Sequence, residues 1–161
     1  MADVVFTNGP DIDAALARLG GLMLRAPHLP DTRAFVHVGA PISKGRPRFS
    51  AKQKLVFTPA RTIRAERDLM YAFRVALDRR PTLVDTVAIV ALFYMPTRRR
   101  IDADNLMKLV MDSATAAAVW KDDSQVIAQA ALMELDTENP RTVVALCPYT
   151  GSLTRAPLLN A

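Results

Sequence analysis

Residues 86–95 constrain the fold of this chain more than any other segment. They are almost all apolar, rich in valine, isoleucine and aromatic residues, and polar residues precede and follow them. This composition is typical of a buried strand. The run is too short to cross a bilayer, which requires about 20 apolar residues in a helix. We therefore expect a sheet with this strand in its interior.

Helical and strand patterns flank the apolar run. Apolar residues recur at helical spacing over residues 61–78, and a second helix is expected to begin at a cap, Asp104 or Asn105, and to end near residue 118. Shorter strands are expected at residues 35–39, 54–57, 126–135 and 142–146. These patterns predict an α/β (α+β) fold, a single small domain in which a mixed sheet of about four to five strands carries two main helices.

Both ends of the chain are predicted to lie outside this domain. Residues 1–33 are interpreted as an N-terminal extension with a short helix, weakened by two glycines, whose apolar positions are Ile12, Leu16, Leu19 and Leu22. Residues 34–147 form the predicted core domain. Residues 148–161 are expected to be a C-terminal tail.

The composition narrows the classes of partner and compartment. The chain has 161 residues and a formal net charge of +5, which favours a polyanionic partner. Its single cysteine, Cys147, excludes an intrachain disulfide framework and a multi-cysteine zinc site, and it suits a reducing compartment. The first residues lack the pattern of a signal peptide. We therefore expect a cytoplasmic protein that does not associate with membranes.

Two acidic pairs carry the clearest chemical signal. Asp102 and Asp104 lie between the buried strand and the second helix, where an extended chain turns residues two apart to the same side. Asp122 and Asp123 follow that helix, and we expect their turn to return to the same sheet edge. Carboxylate oxygens are the ligands that Mg²⁺ or Mn²⁺ prefers. Such a metal activates water and neutralises charge on a phosphodiester.

A lysine is in register with the first acidic pair. Lys108 lies one helical turn after Asp104, and Asp112 lies one turn after Lys108, so the three share a polar face. A lysine in that place stabilises charge that develops on a leaving oxygen. The alternative is structural, with Asp104 as a helix cap and the second pair as a polar turn. Spacing alone leaves both interpretations open.

Two basic segments precede the acidic motif along the chain, one at residues 44–67 and one at residues 98–100. Such a surface would hold the phosphate backbone of a nucleic acid, although a solvated loop is the usual alternative. Phe49 and Phe57 flank the first basic stretch. Stacking on bases is one role for them, and packing in the core is the one that we favour. The predicted nucleic-acid-binding residues are Lys44, Arg46, Arg48, Lys52, Lys54, Arg98, Arg99 and Arg100.

Taken in order, these motifs resemble one known family. Three arginines and an isoleucine, then Asp102, Asp104, Asn105 and Lys108, then Asp122-Asp123, are similar to the RusA-type Holliday junction resolvases. The segment from Gly39 to Phe49, with its lysine, glycine, prolines and arginines, resembles the same family's N-terminal loop. The resemblance covers roughly residues 34–147, and residues before about Phe35 have no counterpart in it.

The resemblance implies an activity and a role for each matched residue. It implies a homodimeric endonuclease that uses magnesium to nick two strands of a four-way or branched DNA symmetrically. Asp102, Asp104 and Asp123 would be catalytic, metal-binding carboxylates, and Lys108 the catalytic lysine. Asp122 is a further candidate metal ligand, and which of the adjacent pair coordinates is left open. The supporting candidates are Asn105 and Asp112.

Three functions stay open at this level. The first is a junction-resolving nuclease, with one metal ion or two. The second is a module that binds branched DNA without cutting it, against which the intact set of Asp102, Asp104, Lys108 and Asp123 speaks. The third is an unrelated structural protein whose acidic residues are only caps and turns.

Overall fold

The computed structural model describes residues 5–6, 9–22, 31–50, 54–78 and 80–149. Within them the strands are β1 (Val5–Phe6), β2 (Arg33–Val38), β3 (Arg48–Ser50), β4 (Leu55–Phe57), β5 (Val87–Met95), β6 (Val126–Leu135) and β7 (Arg141–Pro148). The helices are α1 (Pro10–Leu22), α2 (Ala60–Leu77) and α3 (Ala103–Ala116). The predicted α+β fold with two main helices, α2 and α3, is confirmed.

The main sheet has five strands in the order β1-β2-β7-β5-β6. β5 and β6 run parallel, and every other neighbouring pair in this sheet is antiparallel. The predicted mixed sheet is therefore confirmed. β3 and β4 form a separate two-stranded hairpin, of which the sequence patterns indicated only the second strand.

The apolar run 86–95 forms β5, in the interior of the sheet. Successive side chains of a strand point to opposite faces, and both faces of β5 are covered. Ile89 and Phe93 belong to the cluster beneath α2 and α3, whereas Val90 and Leu92 belong to the cluster beneath α1. Burial on both faces explains why this segment is apolar throughout rather than alternating.

The N-terminal helix α1 covers the second face of the sheet. Its residues Ile12, Ala15 and Leu19 are buried against β2, β5 and β7. Arg141 on β7 donates to both carboxylate oxygens of Asp11, at 2.6 and 2.9 Å. The helix predicted within the N-terminal extension thus contributes to the core.

The end of the predicted C-terminal tail is described only in part. Pro148 is the last residue of β7, and the backbone N–H of Tyr149 donates to the carbonyl of Thr86 at 2.7 Å. Residues 150–161 lie outside the described part of the chain. No helix in the described part combines the length and the apolarity that a membrane crossing requires.

The connection from β5 to β6 decides where the acidic residues lie. α3 begins after the C-terminal end of β5 and leads to β6, whose first residue, Val126, is paired with Val87 at the opposite end of β5. Such a parallel crossover must carry the chain back along the whole strand before the next strand begins. The start of α3 and the start of β6 therefore lie at opposite ends of the sheet.

Candidate active site

The first acidic pair, Asp102 and Asp104, lies at the start of α3 and is called the α3 pair below. Asp102 is the N-cap of the helix, so the predicted cap at Asp104 or Asn105 is wrong by a few residues. One carboxylate oxygen of Asp102 accepts from the backbone N–H of Asp104 at 3.1 Å, and the other accepts from Nδ2 of Asn105 at 3.1 Å. Asn105 therefore orients Asp102.

The α3 pair is open to solvent, and a lysine shares its side of the helix. Asp102, Asp104 and Lys108 are all exposed. Asp104 and Lys108 are one helical turn apart and so are neighbours on the surface. In the described part of the chain, the Lys108 ammonium group has no ion-pair partner. It is therefore available to a ligand that binds beside the α3 pair.

The second acidic pair, Asp122 and Asp123, is called the turn pair below, because it opens the 3₁₀ turn Asp123–Gln125 before β6. Asp122 accepts from the backbone N–H of Ser124 at 2.9 Å. This hydrogen bonding lowers the pKa of the Asp122 carboxyl below its usual value. Asp123 is exposed. Both side chains are thus exposed to solvent.

The turn pair does not lie beside the α3 pair within one chain. The 14 residues of α3 separate them, a helix length of about 20 Å at 1.5 Å per residue. The expectation that both pairs meet at one sheet edge is wrong, because β6 is parallel to β5 and begins at its far end. Among the described residues, no three His, Cys, Asp or Glu side chains are grouped closely enough to hold a metal ion.

The α3 pair has a donor set that suits magnesium. Mg²⁺ is commonly held by one or two protein carboxylates, with waters and substrate phosphate oxygens completing its shell. Asp102 and Asp104 supply two exposed carboxylates, and the positive end of the α3 dipole lies beneath them, where anionic groups are stabilised. The residues present therefore fit a magnesium ion that a phosphodiester shares.

The basic loop, residues 41–47, is fastened between α2 and α3. The backbone N–H of Lys44 donates to the carbonyl of Asn105 at 2.9 Å, and that of Gly45 donates to Oγ1 of Thr62 at 3.2 Å. A Cβ at position 45 would lie 2.8 Å from the same oxygen. Glycine is thus needed for this close approach.

The ammonium group of Lys44 is engaged by two carboxylates. It donates to Asp112 and lies 3.4 Å from Glu66, and all three side chains are 29% exposed. Partial burial lowers the pKa of Lys44, but the two carboxylates outweigh it and the net pKa is raised. We expected Lys44 to bind nucleic acid and Asp112 to support the active site. Their pairing favours a joint role in holding the basic loop. Glu66 and Thr62 also hold this loop, and neither was among the predicted site residues.

The remaining predicted nucleic-acid contacts that the structure describes lie in the basic loop, on the β3–β4 hairpin and in the loop between β5 and α3. Their role in binding stays a prediction. The side chain of Arg48, on β3, and residue Lys52 lie outside what the structure describes. The exposed members are Arg46, Lys54, Arg98, Arg99 and Arg100.

The β3–β4 hairpin exposes apolar side chains next to the basic loop. Phe49, Val56 and Phe57 are 66%, 66% and 41% exposed. The preference for placing both phenylalanines in the core is therefore wrong. Their exposure instead favours the alternative, in which aromatic rings beside basic residues stack on bases.

The structure predicts different effects for two basic residues of the same loop. Lys44→Met is expected to lower the free energy of unfolding by about 1–2 kcal/mol, because Asp112 and Glu66 then face each other without a cation. This loss is larger than the contribution of an exposed ion pair and smaller than the cost of breaking a buried one, since the three side chains are partly exposed. Arg46→Met is expected to leave stability unchanged and to weaken DNA binding with a shallower salt dependence. Urea unfolding and salt-titrated DNA binding measure both. A shallower salt dependence for Lys44→Met without loss of stability would contradict the anchoring role.

Comparison with known proteins agrees with the resemblance seen in the sequence. The family described as "Endodeoxyribonuclease RusA" matches residues 39–147, well over half of the chain. This chain belongs to the RusA endodeoxyribonuclease family. The match begins at Gly39 and so includes the basic loop, the α3 pair and the turn pair.

Similar curated proteins share a short segment with this chain. The crossover junction endodeoxyribonucleases RusA of Escherichia coli (strain K12) and of Shigella sonnei (strain Ss046), and that of Enterobacteria phage 82, are each 53% identical to it over 34 residues. The segment is 21% of this chain and 28% of each relative. The matched segment therefore spans less than a third of these relatives.

Proposed function

We propose that this chain is a structure-selective DNA endonuclease that resolves four-way (Holliday) junctions in DNA recombination and repair. It acts as a homodimer and hydrolyses phosphodiester bonds with Mg²⁺ or Mn²⁺. The observation that carries the proposal is the α3 pair, two exposed carboxylates with Lys108 one turn further along the helix, in a chain of the RusA family. The names of the similar proteins support the same substrate.

Each group near the α3 pair has a distinct task in this proposal. Asp102 and Asp104 hold the metal, which when bound activates a water and offsets negative charge on the phosphodiester. Asn105 keeps the Asp102 carboxylate in place through its hydrogen bond. The free ammonium group of Lys108 stabilises charge on the leaving oxygen.

In the proposed enzyme, the exposed lysine and arginine residues near the site bind DNA. Arg46 lies in the basic loop and Lys54 directly before β4, whereas Arg98, Arg99 and Arg100 lie directly before the α3 pair. Lysine and arginine contacts to phosphates supply affinity without reading the sequence. A two-fold dimer then matches the two-fold symmetry of a four-way junction, so each subunit can cut one of two opposed strands.

A second function, binding of branched DNA without cleavage, is favoured by one observation. The turn pair lies about one α3 length from the α3 pair. Among the residues that the structure describes, the α3 pair therefore has no third carboxylate grouped with it. Such a protein would grip junctions through the same basic surface. It would not depend on a divalent metal for its effect on DNA.

Cleavage of a synthetic four-way junction separates the two functions. The purified protein is incubated with a fixed junction, and with linear duplexes built from the same arms, in Mg²⁺, Mn²⁺, Ca²⁺ or EDTA. We expect paired nicks in opposed strands of the junction in Mg²⁺ or Mn²⁺, none in EDTA, and little cutting of the duplexes. Junction binding without cleavage in any metal would favour the binding function. Metal-insensitive cleavage would contradict the proposed chemistry.

A further inference from the structure

Asn105 joins the basic loop to the α3 pair. Its side-chain Nδ2 donates to Asp102 at 3.1 Å, and its backbone carbonyl accepts from the N–H of Lys44 at 2.9 Å. The residue that orients one candidate metal ligand is therefore also the point at which the backbone of the loop is attached to α3. A displacement of the loop at Lys44 would break a hydrogen bond in the first turn of the helix, beside Asp102.

Lys44 contacts the same helix again through its side chain. The ammonium group donates to Asp112, which lies about two helical turns after Asn105 and so on the same face of α3. The same group lies 3.4 Å from Glu66 on α2. Lys44 therefore holds α3 through both its backbone and its side chain, and it bridges α3 to α2.

The residue after Lys44 is fixed as well. The backbone N–H of Gly45 donates to Oγ1 of Thr62 at 3.2 Å. A Cβ at position 45 would lie 2.8 Å from that oxygen and 3.3 Å from Cγ of Pro59. Two successive backbone N–H groups of the loop are thus held on two different helices. The position of the loop beside Asn105 is therefore set within the protein, before DNA binds.

The carboxylates that hold Lys44 depend on its charge. Asp112 and Glu66 are each 29% exposed, and both contact the one ammonium group. Without that cation, two partly buried negative charges would face each other and repel. The ammonium group is therefore committed to these two carboxylates.

We propose that Lys44 is a positioning residue of the metal site: its anchored loop holds Asn105, and through Asn105 the Asp102 carboxylate, in the orientation that a divalent metal ion requires. This inference rests on the function proposed above, in which Asp102 and Asp104 hold the metal. Mg²⁺ demands a near-ideal octahedral geometry. Groups that orient a metal ligand commonly contribute about 10–100-fold to metal affinity.

The sign of the effect distinguishes positioning from simple electrostatics. Removing a positive charge from the neighbourhood of the α3 pair would by itself favour a divalent cation there. A positioning role predicts the opposite, since the released loop no longer holds Asn105. A role in binding phosphates predicts a third result, in which metal affinity is unchanged and DNA affinity falls with a shallower salt dependence.

Mn²⁺ binding in the absence of DNA tests the proposal without relying on cleavage. Electron paramagnetic resonance measures free Mn²⁺ during titration of the wild type, Lys44→Met, Lys44→Arg and Asp102→Asn, and circular dichroism shows whether each is folded. We expect Lys44→Met to weaken Mn²⁺ binding about 10-fold. Lys44→Arg keeps a cation between the two carboxylates and is expected to recover most of that loss. Asp102→Asn is expected to abolish the binding, which identifies the site.

Two further variants separate the anchor from the charge. Arg67→Met removes the same charge from α2, next to Glu66 in sequence, at a side chain that is 70% exposed, and is expected to bind Mn²⁺ like the wild type. Gly45→Ala changes no charge but places a methyl group 2.8 Å from Oγ1 of Thr62, so the loop must shift. We expect it to weaken Mn²⁺ binding as Lys44→Met does. It decides the question if Lys44→Met does not fold.

The Mg²⁺ dependence of junction cleavage gives a second measurement. Lys44→Met is expected to need about 10-fold more Mg²⁺ than the wild type for half-maximal nicking, and to lose far less activity at saturating Mg²⁺. A lysine that affected only stability would leave the Mg²⁺ dependence of the folded protein unchanged.

The outcomes separate this inference from the proposed function. Unchanged or tighter Mn²⁺ binding by folded Lys44→Met, or by Gly45→Ala, overturns the positioning role while the proposed metal site stands. An equal weakening by Arg67→Met also overturns it, because the effect is then not specific to the anchored lysine. If the wild type shows no Mn²⁺ binding that Asp102→Asn abolishes, the metal site of the proposed function fails, and this inference fails with it.

Discussion

Asp102→Asn is expected to abolish cleavage of four-way junctions while leaving folding and junction binding intact. Asparagine retains a side-chain oxygen that can cap α3 through the N–H of Asp104, so the helix should persist. The substitution removes a negative charge that, in the proposed function, would hold the metal. Because metal catalysis is worth several kcal/mol, the nicking rate should fall by at least about 100-fold. Single-turnover nicking of a labelled junction measures the rate, and gel-shift titration in Ca²⁺ measures binding.

A matched variant controls for the loss of one carboxylate near a helix start. Asp13→Asn makes the same change in the first turn of α1, on the opposite face of the sheet, at an exposed position. It is expected to cut junctions at the wild-type rate. If Asp102→Asn also cuts at that rate, Asp102 is only a cap of α3 and the structural interpretation of the acidic motif is correct.

The central strand β5 was predictable because its burial on both faces determines its amino-acid composition directly. β5 is covered by α2 and α3 on one face and by α1 on the other. Polar residues are therefore excluded from all its positions, whichever face of the sheet the side chain points to. The helices α2 and α3 also carry strong periodic patterns. For these elements, local sequence and final burial agree, and the mixed α+β architecture follows from their order along the chain.

The position of the turn pair was not predictable in the same way. The sequence shows a polar turn that is followed, from Val126, by a strand. This pattern is the same whether the strand runs parallel or antiparallel to β5. The choice depends on how the whole sheet is assembled, with β7 occupying the other side of β5. An antiparallel β6 would have brought Asp123 back to α3's start, whereas the parallel β6 takes it to the far end.

Two further errors share this cause. Phe49 lies on a three-residue strand whose apolar content fits either a core strand or an exposed hairpin. The ion pair of Lys44 with Asp112 joins residues far apart in sequence, and no local pattern distinguishes an anchored lysine from a free one. In both cases the environment of the side chain is set by tertiary contacts, which a single sequence does not encode locally.

The second large effect is expected at α1, where Leu19→Ala should destabilise the whole domain. Leu19 is fully buried in the cluster that includes Val90 and Ala145. Removing a buried leucine side chain typically costs about 2–5 kcal/mol, a large share of a domain's total stability. Urea unfolding followed by circular dichroism measures the change, and an unaltered m-value would show that the cooperative unit is the same.

The exposed neighbour Arg18 provides the control on the same helix. Arg18→Ala is expected to change the free energy of unfolding by no more than about 0.5 kcal/mol. A loss at Leu19 no larger than this would mean that α1 unfolds separately from the sheet. The expected large loss would instead make α1 part of the platform on which the α3 pair is built, because α1 buries the face of β5 opposite to α3. The segment that precedes the family match would then contribute to the site by stabilising the sheet that carries it.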